Sequence, residues 1–224
     1  MDNSDSKRGK YRIMVVDDHE LMRSGLIQLI ELEDDMAVCA QAADVHGALE
    51  ELDKCDPDVA VVDISLRDSS GIELIKDMKI RRPKLPVLVL SMHGESFYAE
   101  RVLRAGARGY VTKDEASTKV IAGLRAVLAG EVYVSEKVAT KMLGRMIGRA
   151  PTDAFPIDRL TDREFEVFEL IGGGMSTREI ASQLHLSIKT IETYREHIKA
   201  KLNLDGATEL ITYAVQWSQS ERRP

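Results

Sequence analysis

Between Tyr11 and about Ala129 the sequence switches period again and again, and that alternation constrains the fold more than any single residue does. Short apolar runs rich in β-branched residues occupy 13–16, 36–40, 59–62, 87–90 and 109–111. Amphipathic stretches of helical length follow them, at 20–33, 45–55, 71–82, 96–105 and 115–129. Near-continuous apolar runs suit strands buried on both faces, and a 3.6-residue period suits helices lying on a sheet. Repeated strand–helix alternation predicts a doubly wound, parallel, five-stranded α/β sheet with helices on both faces. Pro83 and Pro86 end the third helix and lead into the fourth strand.

After Gly130 the rhythm changes. The segment 135–147 reads as an isolated helix, and GRAPTDAFPID, with two prolines and a glycine, reads as a boundary. Beyond it only helices are expected. Thr161-Asp-Arg-Glu164 and Ser176-Thr-Arg-Glu179 are capping boxes before apolar periodic runs, with Gly172-Gly-Gly174 between them. Ser187 caps a third helix to about Leu202, and Asp205 caps a fourth through Trp217. The middle two, joined at Leu184-His185-Leu186, have helix-turn-helix spacing. The expected layout is a tail at 1–9, an α/β domain at 10–130, a linker with one helix at 131–157, and an all-α four-helix domain at 158–219.

Composition narrows the possibilities. No apolar run approaches the roughly 18 residues of a membrane span, and the polar N-terminus lacks a secretion signal's apolar core. Cys39 and Cys55, without a CxxC motif, read as small buried hydrophobes in a reducing cytoplasm. Net charge is −6, and residues 158–224 carry nine Lys/Arg against eleven Asp/Glu, a balance of −2. DNA binding would therefore have to come from a local basic stripe rather than from gross charge.

In an open parallel sheet, ligands bind beyond the carboxyl ends of the strands. Those ends carry Asp17 and Asp18, Asp63, Ser91 and Lys113. Three carboxylates without a thiolate suit Mg²⁺ or Mn²⁺. An added hydroxyl and ammonium suit phosphoryl transfer, with Asp63 as the nucleophile and Asp17 and Asp18 as metal holders. His19 and His93 are explained better by helix-start and loop positions than as ligands.

VVDDHE, VVDIS, LVLSMH and GARGYVTKD resemble the receiver domain of two-component response regulators, a flavodoxin-like fold of strand order 2-1-3-4-5. The resemblance implies a sensor histidine kinase as phosphoryl donor and Asp63 as acceptor. It also implies Mg²⁺ held by Asp17, Asp18, Asp63 and the backbone carbonyl of Ser65. Lys113 becomes the salt-bridge partner of the phosphate, Ser91 the switch hydroxyl, and Tyr110 the aromatic that turns inward. The chain departs from the family pattern at Leu66-Arg67-Asp68-Ser69-Ser70-Gly71, where many receivers have Met-Pro-Gly. Asp114 stands where many have proline; a non-proline cis bond there would cost about 3 kcal/mol.

LTDREFEVFELI, STREIASQL, LSIKTIETYREHIKAKL and DGATELITYAV resemble the LuxR/FixJ-type DNA-binding domain, so the whole chain resembles the NarL/FixJ class. In the helix from Ser187, Ile191, Ile198 and Leu202 should pack inward. Lys189, Thr190, Glu192, Thr193, Tyr194, Arg195 and Lys199 are the candidate contacts to double-stranded DNA. Glu196 is assigned to intrahelical pairing with Lys199. Leu210, Ile211 and Ala214, on the family's dimerisation helix, are available to core or interface. The implied protein is a cytoplasmic, phosphorylation-dependent transcription regulator. It is not an enzyme beyond phosphoryl acceptance and self-dephosphorylation, and it is a homodimer when phosphorylated, on half-sites about 10 bp apart. Two alternatives are an adaptor without DNA binding and a phosphohydrolase. The second lacks the further aspartate that haloacid-dehalogenase-like phosphatases need, since Ser65 stands there.

Overall fold

A computed structural model describes residues 9–66, 69–92, 95–146 and 156–221. It divides into two compact units, Met1–Val138 and Ala139–Pro224. In the first, β1 (Tyr11–Val16), α1 (Glu20–Glu31), β2 (Met36–Ala42), α2 (Val45–Lys54) and β3 (Val59–Asp63) come in order. A hairpin of β4 (Ser65–Leu66) and β5 (Ser69–Ser70) precedes α3 (Gly71–Arg81). Then follow β6 (Val87–Ser91), α4 (Glu95–Ala105), β7 (Gly109–Thr112), a 3-10 turn at Lys113–Glu115 and α5 (Ala116–Leu128). The five-stranded sheet is parallel throughout, in the order β2-β1-β3-β6-β7. Leaving out the hairpin, that is the expected 2-1-3-4-5.

One core cluster joins sheet residues Ile13, Val15, Val59, Val61, Leu88, Leu90 and Val111 to Leu26 and Ile30 of α1 and to Val120, Leu124 and Val127 of α5. β3 and β6 are buried at every position, which is why their sequences show no alternation. The register brings Asp63 opposite Leu90 and Ser91 opposite Thr112, so the polar strand ends share one rim.

Besides the β4–β5 hairpin, the structure differs from the sequence-based expectation in β2, at Tyr133 and at the start of α5. Ile13 pairs with Val38 but Met14 pairs with Ala40, so β2 carries one extra residue, Cys39, in a bulge. Tyr133, assigned to the linker, instead bridges to Gly109. The Tyr110 N–H donates to the Tyr133 carbonyl at 2.8 Å, and the Tyr133 N–H donates to the Arg108 carbonyl at 2.9 Å, covering the outer edge of β7. Finally, Glu115 belongs to the 3-10 turn rather than to α5. Residues 67 and 68 of the departing loop, and His93, lie outside the described residues. No cis peptide occurs among the described residues.

α6 (Glu136–Met146) comes next, and a 3-10 turn at Pro156–Arg159 leads to α7 (Asp162–Gly172), α8 (Thr177–Gln183), α9 (Ile188–Leu202) and α10 (Ala207–Glu221). Both capping boxes form: the Thr161 hydroxyl with Glu164, and the Ser176 hydroxyl with Glu179. The core of the helical domain holds Phe165, Phe168, Ile180, Ile191, Ile198, Leu210 and Ala214. The ring of Trp217 meets Phe165 edge-on at 5.4 Å. Gly172 permits close passage of α10, since a Cβ there would lie 2.6 Å from the Ala214 carbonyl oxygen.

Candidate functional site

The rim is built from four strand ends. Asp17 follows β1 and is 1% exposed. Its backbone N–H donates to the Ala42 carbonyl of β2 at 3.2 Å, its Oδ1 accepts from the His19 N–H at 2.8 Å, and its carbonyl accepts from Arg23 Nη1 at 2.6 Å. Arg23 in turn reaches Gln41 Oε1, so α1 and β2 jointly fix this aspartate. Asp18 is buried, with His19 Nδ1 2.9 Å from its Oδ1. His19 is also the N-cap residue of α1, the helix-start position the sequence suggested.

Asp63 ends β3, and its Oδ1 accepts from the Ser65 N–H at 3.0 Å. The loop after it turns back so tightly that a Cβ on Gly71 would stand 2.3 Å from the Asp63 carbonyl oxygen. The sequence marked Gly71 only as the end of an atypical loop; its close approach depends on the fold-back and leaves no local signal. Lys113 crosses from the end of β7. Its Nζ lies 2.6 Å from Asp63 Oδ2 and 2.8 Å from Asp17 Oδ2, with only 3% of the side chain exposed. Ser91 is fully buried at the end of β6, and Tyr110 is buried on β7.

Electrostatics follow from this crowding. Burial pushes the Asp63 carboxyl above its ordinary value; Lys113 offsets the rise in part, and the charge of Asp17 adds to it. Burial opposes the Lys113 ammonium, yet Asp63 and Asp17 outweigh it and hold that pKa above the usual lysine value. Ligand atoms of Asp17, Asp18, His19 and Asp63 all fall within 4.8 Å of one another. Three carboxylates thus share the rim, two of them paired with one buried ammonium. A small hard cation with oxygen preference fits that donor set.

In the helical domain, α8 and α9 are joined through a turn in which His185 has φ +51° and the Leu186 N–H donates to the Ala181 carbonyl at 2.9 Å. The Ser187 hydroxyl caps α9 by accepting from the Thr190 N–H at 3.0 Å. Ile191, Ile198 and Leu202 face the core, as their spacing required. Lys189, Glu192 and Thr193 are exposed, and Thr190, Tyr194, Arg195 and Lys199 are half-buried.

Residues 13–125 match the response regulator receiver domain, and residues 158–214 match the bacterial regulatory proteins of the luxR family. The oxygen regulatory protein NreC of Staphylococcus epidermidis is 33% identical over 211 residues, spanning 92% of this chain and 97% of that protein. The chain belongs to the response regulators. Among solved structures, this response regulator is similar to RcsB of Salmonella enterica serovar Typhimurium bound to promoter P1flhDC in the presence of phosphomimetic BeF3⁻. That likeness has a TM-score of 0.64 at 27% identity, over 93% of this chain and 100% of that one. A LuxR-family two-component regulator from Aurantimonas is similar at 33% identity and TM-score 0.57, covering 62% of this chain and 99% of its own.

The helical domain of the response regulator corrects one expectation. Leu210 and Ala214, offered for dimerisation, have no exposed surface, because α10 must bury a face against α7 and these residues lie on it. Ile211, 44% exposed, is what remains of that set for an interface. Lys199 pairs with Glu196 at 2.9 Å, the intrahelical contact expected of Glu196, which leaves its ammonium already engaged. Lys201 was not singled out in the sequence; it donates to buried Glu164, fastening α9 to the capping box of α7. Burial raises the Glu164 carboxyl, and the bonds from Lys201 and Thr161 more than reverse this, leaving its pKa below the ordinary value.

Proposed function

We propose that this response regulator accepts a phosphoryl group on Asp63 from a sensor histidine kinase and, so modified, binds paired DNA half-sites as a cytoplasmic homodimer. The observation that carries the reading is the bridge from Lys113 to both Asp63 and Asp17 across the rim. It sets an ammonium beside the oxygen where a new dianion would arrive.

An Asp63 carboxylate oxygen attacks phosphorus in line, the phosphorus–nitrogen bond to the donor histidine breaks, and an aspartyl acyl phosphate results. Asp17, Asp18, Asp63 and the Ser65 carbonyl would hold Mg²⁺, which supplies charge neutralisation on the phosphoryl oxygens. Lys113 then transfers part of its pairing from the carboxylates to the phosphoryl group. The Ser91 hydroxyl donates to a phosphoryl oxygen, and Tyr110 keeps an inward position beside it. Phosphorylation works by population shift, so it need favour the active arrangement by only a few kcal/mol.

In the second domain α9 enters the major groove. Lys189, Thr190, Tyr194 and Arg195 contact phosphates or bases, Thr193 meets a thymine methyl, and Glu192 accepts from a cytosine amino group. Lys199 contributes mainly by neutralising Glu196. The NreC and RcsB likenesses, spanning both domains, support a transcription regulator over an adaptor without DNA binding. No helix among the described residues is long and apolar enough to cross a membrane.

The test treats full-length protein with a small acyl phosphate donor and Mg²⁺, then measures self-association and binding to genomic fragments. Wild type should gain both and Asp63→Ala neither. Equal gains in the two proteins would refute the role of Asp63.

A further inference from the structure

Away from the acidic rim, two thiols face each other at the edge of the sheet. Cys39 Sγ and Cys55 Sγ are 3.2 Å apart. Their approach is built by two independent local features. Cys39 is the extra residue of the β2 bulge, and bulges redirect a side chain that regular pairing would aim elsewhere. Cys55 is the C-cap of α2, its N–H donating to the Glu51 carbonyl, and extended backbone leads away from it to Asp56 and Pro57. A disulfide requires sulfurs about 2.0 Å apart, so roughly 1 Å of travel remains, within reach of side-chain rotation.

We propose that Cys39 and Cys55 form a reversible oxidation site, closing to an intramolecular disulfide when a hydroperoxide reaches the Cys39 thiol. Cys39 is half-buried and Cys55 is buried, so the oxidant meets Cys39 first. Burial, reinforced by the contact with Cys39, pushes the Cys55 thiol up to about 12, which makes it the poorer initial nucleophile.

The chemistry balances in two steps. The Cys39 thiolate attacks the peroxide; the oxygen–oxygen bond breaks, an alcohol (or water, from hydrogen peroxide) leaves, and Cys39 becomes a sulfenic acid. The Cys55 sulfur then attacks the Cys39 sulfur, water departs, and the sulfur–sulfur bond forms. The two thiols together lose two electrons, which reduce the peroxide. In a reducing compartment cellular thiols reverse the bond by exchange, so the resting state is the dithiol.

Trypsin cleaves after Lys54, placing Cys39 in the peptide 24–54 and Cys55 in the peptide 55–67. Full-length protein is treated with hydrogen peroxide, its remaining thiols are alkylated, and it is digested without reductant for mass spectrometry. The expected product is the two peptides joined, two hydrogens lighter than their sum, and released by dithiothreitol. Mixing isotopically heavy and light chains before oxidation should give no heavy–light cross-links. In Cys55→Ser, with no second thiol, dimedone should capture the sulfenic acid at Cys39. Separate peptides that are alkylated or over-oxidised would overturn the proposal, and so would cross-links between chains. Because the deciding measurement is made on wild type, a variant that fails to fold does not remove the test.

Discussion

At the scale of single residues, the balance of charge around Lys113 governs both stability and chemistry. Asp63 is held above its ordinary pKa, so the folded protein binds a proton there more readily than the unfolded chain. Its contribution to stability is present below the ordinary aspartate range and is lost as pH rises through the raised folded value. Removing the charge should therefore stabilise the metal-free protein: Asp63→Asn is expected to unfold at higher urea than wild type in EDTA at neutral pH, with a gap that narrows on acidification. A wild type more stable than the variant at neutral pH would contradict this electrostatic picture. Gly71 answers to sterics instead. Gly71→Ala has to displace the backbone at Asp63 and Ile64, and should cost about 1–3 kcal/mol in a urea titration. Most of this site was legible in the sequence, because Asp17, Asp18, Asp63, Ser91 and Lys113 each follow an apolar run whose direction a parallel sheet fixes. Arg23 and Gly71 were not, because each acts on a backbone atom that only the folded chain brings near.

At the scale of elements, period and caps carried the reading. Both capping boxes and the Ser187 cap appear where Ser or Thr precedes an apolar period. What escaped were features made by tertiary pairing: the bulge at Cys39, the hairpin after Asp63, and Tyr133 bridging to β7. A lone tyrosine after Gly130 has no strand period to announce it. On α9, Lys189 is exposed and is a candidate phosphate contact. Lys189→Ala should weaken binding to all DNA sequences alike and reduce the slope of log affinity against log salt by about 1. A slope unchanged from wild type would remove Lys189 from the interface. Lys201→Ala, by contrast, should act on folding, since it strips buried Glu164 of its cation. Because the Glu164 pKa is lowered, its stabilisation is present above the usual glutamate range and fades as pH falls through the lower folded value. Thermal melts should therefore show the loss caused by Lys201→Ala at neutral pH and a smaller one in acid.

For the whole molecule, the proposed function joins a receiver that gains a covalent charge to a helical domain with net acidity. With −2 across residues 158–224, a single copy offers few cations to phosphate, which is why the proposed function has two copies on paired half-sites. Ile211 is an exposed apolar residue of α10 open to that pairing, and Ile211→Asp should reduce dimer formation by the phosphorylated chain in sedimentation while leaving its fold unchanged. The proposed coupling begins at one carboxylate, Asp63. Full-length protein incubated with a small acyl phosphate donor and Mg²⁺, reduced with borohydride and digested with trypsin, reports where the acyl phosphate formed, because reduction leaves homoserine in its place. The peptide 55–67 contains Asp56, Asp58 and Asp63 and so discriminates among them. Homoserine at position 63 alone, abolished by EDTA, is the expected result; homoserine at 56 or 58, or the same yield at 63 with EDTA present, would contradict the account.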